Sequence, residues 1–337
     1  MLNNKFLEKY DMHDMHKIYD NWPRIASDSY TADISPLSFD GLDHVVFVGM
    51  GGSGTVSDIF SAILSETPIH TTIVKGYTLP KTIDANTLVV SISASGNTEE
   101  TISALKASLD YDCNRIALSA GGNLEKFSKK NGIAHYSIPM HLNPRATLPS
   151  MLYTTLKLLG STLSIDESMI KNSLDSLDGT LEKISSKNLD EQNPSVSLAA
   201  WMTKDPIIYY PWGLYATAIR FKNSIHENMK MHVSAENIIE SCHNQIMALD
   251  SSTNIKSILL RGNKDHPKTN ERYEIIKQIL AEKNIDYKEI IINGDNILTK
   301  IICSIYELDY STIYGAVMAK IDPYPVKSIE YIKEQLM

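Results

Sequence analysis

The sequence predicts an α/β protein containing two parallel sheets, each covered on both faces by helices. Three observations carry that expectation. Short β-branched runs alternate with helix-length amphipathic segments, the pattern of strands joined by crossover helices. The pattern pauses in a polar helical stretch that ends at the turn-rich DEQNPS, and then resumes. At 337 residues the chain also exceeds what one hydrophobic core usually supports. The implied boundaries are a first domain over 1–155, with its leading helix, a helical linker region over 156–195, and a second domain over 196–337 with a C-terminal helix.

Each element has its own signal. Residues 5–28 should form the leading helix, with Phe6, Tyr10, Ile18, Trp22 and Ile25 on its apolar face. Strands follow at HVVFVG (44–49), IHTTIV (69–74), TLVVSIS (87–93), RIALSA (115–120) and AHYSIP (134–139). From Leu148 to about Lys187 the chain turns helical. Strands resume at PIIYYP (206–211), SILLRG (257–262) and KEIIING (288–294). From Leu298 a long apolar helix runs to DPYP (322–325), where two prolines stop it, and a short helix follows.

Composition narrows the function classes. With 43% apolar and 21% charged residues the chain reads as ordinary globular protein. A net charge of -8 gives no basic field to draw in nucleic acid or an anionic membrane, so any anionic ligand needs a local site. Cys113, Cys242 and Cys303 are far apart in the chain, which fits buried thiols in a reducing compartment. The opening MLNNKFLEKYDMHDMHKIYDNW is charged throughout, and the longest apolar stretch, IIYYPWGLYATAI from Ile207, is interrupted by Pro211 and Gly213. A cytoplasmic location is therefore expected.

Two loops carry the chemistry. GMGGSG, Gly49 to Gly54, follows a strand and opens a helix, so its backbone amides and the helix dipole face an anion. Its Gly-x-Gly-x-x-Gly spacing also suits a dinucleotide, but that requires an acidic residue at the end of the next strand, where Lys75 stands instead. Lys75 argues against NAD and leaves an NADP-dependent reductase open; a plain tight turn is the bland alternative. The second loop, SASGNTEET (93–101), reads structurally as a helix cap by Asn97 or Thr98 with Glu99 and Glu100 in the first turn. One cap needs one hydroxyl, and this loop offers Ser93, Ser95 and Thr98. With Ser53 from the first loop they make a cradle for a single phosphomonoester.

Taken together, GMGGSGTVSD, SASGNTEET, NPRATL (143–148), HENMK (226–230), CHNQI (242–246) and IDPYPVKSIEYIKEQL resemble, in order and spacing, the bifunctional phosphoglucose/phosphomannose isomerases of the sugar isomerase (SIS) domain superfamily. The resemblance implies two SIS domains, each a flavodoxin-like parallel sheet sandwiched by helices, and a homodimer with its active site near the subunit interface. It implies no cofactor and no metal, and hexose 6-phosphates as ligands. Carried over position by position, it assigns phosphate binding to Gly52, Ser53, Ser93, Ser95 and Thr98, and catalysis to Arg145, Glu227, His243 and Lys333, with His243 reaching the neighbouring subunit's site. Two positions depart from the family pattern: Gln245 stands where a glutamate is usual, and Ala94 where the serine loop often has an aromatic residue.

The residue types suit the implied chemistry. Aldose and ketose 6-phosphates interconvert by moving a proton between C1 and C2 through an enediol or enediolate, which one carboxylate can shuttle. Glu227 takes that role, Arg145 holds the developing negative charge, and His243 with Lys333 serves ring opening. Glu236 and Glu240 compete with Glu227 on the same stretch, and Glu240 sits three residues before His243, close enough to orient it. The bland readings are a solvated cation for Arg145 and for Lys333. His13 with His16, and His226 with His232, lack the spacing of a strong zinc signature. A non-catalytic SIS-domain sensor of sugar phosphates would account for the serine loop equally well, though not for the four catalytic matches.

Overall fold

A computed structural model describes residues 2–251 and 255–336. In chain order the elements are helices α1 (Asn4–Tyr10), α2 (Met15–Asp20) and α3 (Trp22–Thr31), then β1 (His44–Val48), α4 (Gly51–Leu64), β2 (His70–Val74), β3 (Thr87–Ser93), α5 (Glu99–Ala107), β4 (Asn114–Ser119), α6 (Gly122–Lys130) and β5 (Ala134–Ser137). There follow α7 (Leu148–Leu159), α8 (Glu167–Ile184), α9 (Pro194–Trp201), β6 (Pro206–Tyr210), α10 (Tyr215–Ser224), β7 (Ser234–Asn237), α11 (Ile238–Ser241), β8 (Lys256–Gly262), α12 (Pro267–Glu282), β9 (Tyr287–Ile292), α13 (Ile297–Met318) and α14 (Lys327–Leu336). Among the described residues no helix is long and apolar enough to cross a membrane.

The chain divides into two compact units. One comprises Asn21–Asp178 and Gly294–Ile302, the other Met1–Asp20, Gly179–Asn293 and Cys303–Met337. The division falls within the stretch expected as one leading helix: α1 and α2 group with the second sheet and α3 with the first. Tyr19 Oη donates to Asp309 at 3.2 Å, and Tyr310 Oη to Asp20 at 2.6 Å.

The first unit holds a five-stranded parallel sheet in the order β2-β1-β3-β4-β5. β1 and β3 are buried along their whole length because helices cover both faces, which is why their sequences run apolar without alternation. The edge strands β2 and β5 are half-exposed. The chain leaves β1 outward to β2 and returns across it to β3, so the loops after β1 and β3 meet at the point where strand order reverses. Those loops are GMGGSG and SASGNT.

The second unit repeats the plan with four parallel strands, β7-β6-β8-β9. Its edge strand β7, SAEN, has no β-branched run and went unexpected in the sequence. On α13, Tyr306, Tyr310 and Tyr314 stack at helical spacing, fully buried. Each hydroxyl finds an acceptor, in Tyr19 O, Asp20 and Ile184 O respectively, which is the condition for burying tyrosine.

The leading segment is three helices where one was expected. The Asp11 carboxylate accepts from the amides of Met15 and His16 at 2.9 and 2.8 Å, ending α1 and starting α2, with Asp14 in the left-handed region between them. Pro23, lacking an N–H, restarts the chain as α3.

Candidate active site

The hydroxyls expected to bind phosphate converge at the ends of β1 and β3. Ser53, in the first turn of α4, has its Oγ 3.2 Å from the Ala94 amide, which donates to it, and itself donates to Met151 Sδ at 3.3 Å. Ser93 Oγ lies 2.8 Å from Thr98 Oγ1 and accepts from the Gly96 amide at 3.1 Å. Ser95 Oγ accepts from Asn97 N at 3.3 Å. Gly52 lies in the first turn of α4, where amides have no carbonyl one turn back to bond.

The cap expected of Asn97 or Thr98 is not made. Thr98 occupies the N-cap position of α5, yet its side chain makes no cap bond, and the Asn97 side-chain oxygen accepts instead from Asn123 N at 3.0 Å. The first amides of α5 are thus left for an anion, beside hydroxyls that can donate to it. Glycine makes the loop possible: Gly96 has φ of 69°, and a Cβ there would meet the Gly121 carbonyl oxygen at 1.8 Å. The amides of Ala120 and Leu124 bond back to Ala94 O and Gly96 O at 3.0 and 2.8 Å, bracing the loop from the β4 side.

Lys75, the residue that left a nucleotide open, is committed elsewhere. Its Nζ bonds both Asp58 oxygens, at 2.8 and 2.7 Å. Asp58 lies in α4, its side chain only 3% exposed. Burial pushes that carboxyl above its ordinary value and Lys75 pulls it back down. The last glycine of the motif, Gly54, has a structural use: a Cβ there would meet Gly49 O at 2.9 Å and Lys75 Cε at 3.2 Å.

Arg145 sits in the same unit, in the turn before α7. The turn is tied by Asn143, whose side-chain oxygen accepts from Ala146 N at 3.0 Å, and by Thr147 Oγ1, which donates to Asn143 O at 2.9 Å. Arg145 is 4% exposed, so the reading of a solvated surface cation fails. A guanidinium is not buried without anionic or polar partners.

The other three candidates belong to the second unit. Glu227 is half-buried in a π-helical turn, Ile225–Met229, that continues α10. Such turns are rare and recur at functional sites. His243 is exposed in the segment after α11, and Lys333 is exposed on α14, which buries none of its residues. The Glu240 carboxylate accepts from Asn244 Nδ2 at 2.8 Å, and its carbonyl accepts from the His243 amide at 2.9 Å. His16 is bonded to Asp11 at 2.7 Å and His13 to Asp322 at 3.2 Å, so both have carboxylate partners.

Residues 191–336 match the family described as the bacterial phospho-glucose isomerase C-terminal SIS domain. A bifunctional phosphoglucose/phosphomannose isomerase of Caldicellulosiruptor bescii is 31% identical over 311 residues, covering 88% of this chain and 90% of that protein. The chain belongs to the bifunctional phosphoglucose/phosphomannose isomerase family. The family member from Aquifex aeolicus is 28% identical over 332 residues, 96% of this chain and 99% of its own. The fold is shared with a hypothetical protein of Thermus thermophilus, at TM-score 0.75 and 14% identity over 98% of this chain and 92% of that one.

Both departures from the pattern of these isomerases have a structural setting. Ala94 is buried within the loop and lends its amide to Ser53. Gln245 Oε1 accepts from the Tyr209 hydroxyl at 2.9 Å, and burial pushes that hydroxyl's pKa up to about 12. Sequence reasoning missed the π turn under Glu227, whose partners lie far along the chain on α13.

Proposed function

We propose that this protein interconverts glucose 6-phosphate and fructose 6-phosphate, and mannose 6-phosphate and fructose 6-phosphate, by proton transfer through a cis-enediol or enediolate. The observation that carries the reading is the hydroxyl cradle over the uncapped end of α5, which suits one phosphoryl group. Gly52, Ser53, Ser93, Ser95 and Thr98 hold the phosphate, and that binding energy positions the far end of the open-chain sugar. Glu227 takes the proton from one carbon and returns it to the next. Arg145 stabilises the charge that develops on the enediolate oxygens. His243 and Lys333 move protons at the ring oxygen, His243 from the second subunit of a homodimer, and the reaction needs neither metal nor cofactor. Use of both epimers requires the open chain to turn about C2–C3 so that either C2 hydrogen meets the same base.

A coupled assay with each aldose 6-phosphate tests the substrates. Turnover of glucose 6-phosphate alone reduces the protein to a single-substrate isomerase, and turnover of neither refutes the proposal. Glu227→Gln separates enzyme from sensor: it should abolish isomerisation and leave phosphate-ligand binding intact, whereas a sensor has no activity to lose.

A further inference from the structure

The π turn carrying Glu227 is bound to one face of α13 by contacts on either side of that residue. Ser224 Oγ donates to Asp309 Oδ1 at 2.6 Å before it, and Asn228 Nδ2 donates to Thr312 Oγ1 at 2.7 Å after it. Thr312 in turn donates to Asp309 O at 2.6 Å, so its hydroxyl hydrogen is committed and its oxygen is presented to Asn228. Asp309 is itself immobilised, accepting from Arg220 Nε and Nη2 at 2.8 and 2.6 Å and from Tyr19 Oη. One turn further along α13, Met229 lies over Gly315, where a Cβ would meet its Cε at 2.6 Å and its Sδ at 2.9 Å.

Asp309, Thr312 and Gly315 thus recur every third residue on α13 and receive Ser224, Asn228 and Met229 in turn. Ser224 and Asn228 are buried while Glu227 between them stays half-exposed, so the bonds fix which way the carboxylate projects. Asn228 Oδ1 is buried with no hydrogen-bond partner among the described residues, a cost that packing alone would not maintain when an apolar residue of similar size could fill the place.

Resting on the assignment of Glu227 as the base, we infer that Thr312 and Asn228 are positioning residues for the isomerisation: their hydrogen bond, with the Asp309 clamp beside it, holds the π turn that aims the carboxylate. A group displaced by about an ångström from its productive position costs on the order of 100-fold in rate.

The test compares Thr312→Val, which keeps the shape and removes the acceptor, with Thr312→Ser, which restores it, and with Glu227→Gln. Steady-state kinetics on fructose 6-phosphate are read beside thermal unfolding. Thr312→Val should lower kcat roughly 10- to 100-fold, with KM within about twofold because the phosphate cradle is untouched, and Thr312→Ser should recover most of it. If Thr312→Val does not fold, Thr312→Ala, which leaves room for a water, is judged by the same split. A wild-type kcat in the folded variant beside an inactive Glu227→Gln overturns the inference alone, as does a loss of kcat matched by the unfolded fraction. Undiminished activity in Glu227→Gln removes the base and the inference with it.

Discussion

The hydroxyl of Thr98 lies 2.8 Å from that of Ser93 and leaves the start of α5 without a side-chain acceptor. A threonine at an N-cap ordinarily stabilises its helix by about 1 kcal/mol through that missing bond. Stability is therefore forgone at the proposed phosphate site. Thr98→Asp should reverse the choice, capping α5 and placing a negative charge at the dipole's positive end, for a gain of roughly 0.5–1 kcal/mol. The same carboxylate repels phosphate, so KM for fructose 6-phosphate should rise at least ~10-fold, the loss of one charge-assisted bond alone being worth about 1.5–3 kcal/mol. Chemical denaturation and kinetics on one preparation check both halves; a variant that binds substrate normally would show that Thr98 serves only the fold.

Lys75 and Asp58 offer a second test, because their pairing gives the lysine a use with no nucleotide in it. Breaking a well-buried pair costs about 3–5 kcal/mol. The Lys75 side chain is 35% exposed, so water already shares its role, and Lys75→Met should cost less, ~1–3 kcal/mol. The pH dependence has a definite sign. Asp58 titrates higher folded than unfolded, so the folded state holds its proton more tightly and stability falls as pH rises between the two values. Removing the ammonium raises the folded value further and widens that window. The deficit of Lys75→Met should therefore be larger near pH 7 than near pH 5 in urea titrations. NADP should shift the melting temperature of neither protein, and a shift would revive the reductase reading.

The central strands and the hydroxyl loop were legible in the sequence for the same reason: both are written in contiguous residues. β1 and β3 are unbroken apolar runs because the sheet is covered twice, and three hydroxyls around Gly96 fall within six residues. What escaped was written non-locally. β7 is a four-residue edge whose pairing comes from backbone register with β6, so SAEN carries no signal. The π turn is shaped by Asp309, Thr312 and Gly315, far along the chain, while HENMK itself continues a helical pattern. The break after α1 also escaped, because Asp11 lies four and five residues before the Met15 and His16 amides it accepts from, outside the usual cap spacing, and the apolar periodicity runs across it.

Gln245 yields a prediction about the departure from the family's glutamate. Its oxygen receives the Tyr209 hydroxyl, and a carboxylate can do the same with a stronger, charge-assisted bond. Gln245→Glu should leave the fold within about 1 kcal/mol of the parent, whereas Gln245→Leu strands a buried donor and should cost ~1–3 kcal/mol. Thermal unfolding of the pair decides it, and equal losses in both would mean that the tyrosine bond contributes nothing.

The exposed imidazole of His243 makes the subunit proposal testable without a crystal of the dimer. If each site combines Glu227 of one chain with His243 of the other, the homodimers of Glu227→Gln and of His243→Ala are both inactive. Mixing them by unfolding and refolding together creates heterodimers in which one site collects both lesions and the other collects neither. With random pairing half the dimers are mixed, so about a quarter of wild-type activity should return. If both residues served the same chain's site, every site in the mixture would carry one lesion and no activity would reappear. Recovery in the mixture, absent when the two proteins are combined without exchange, therefore separates a shared site from a self-contained one.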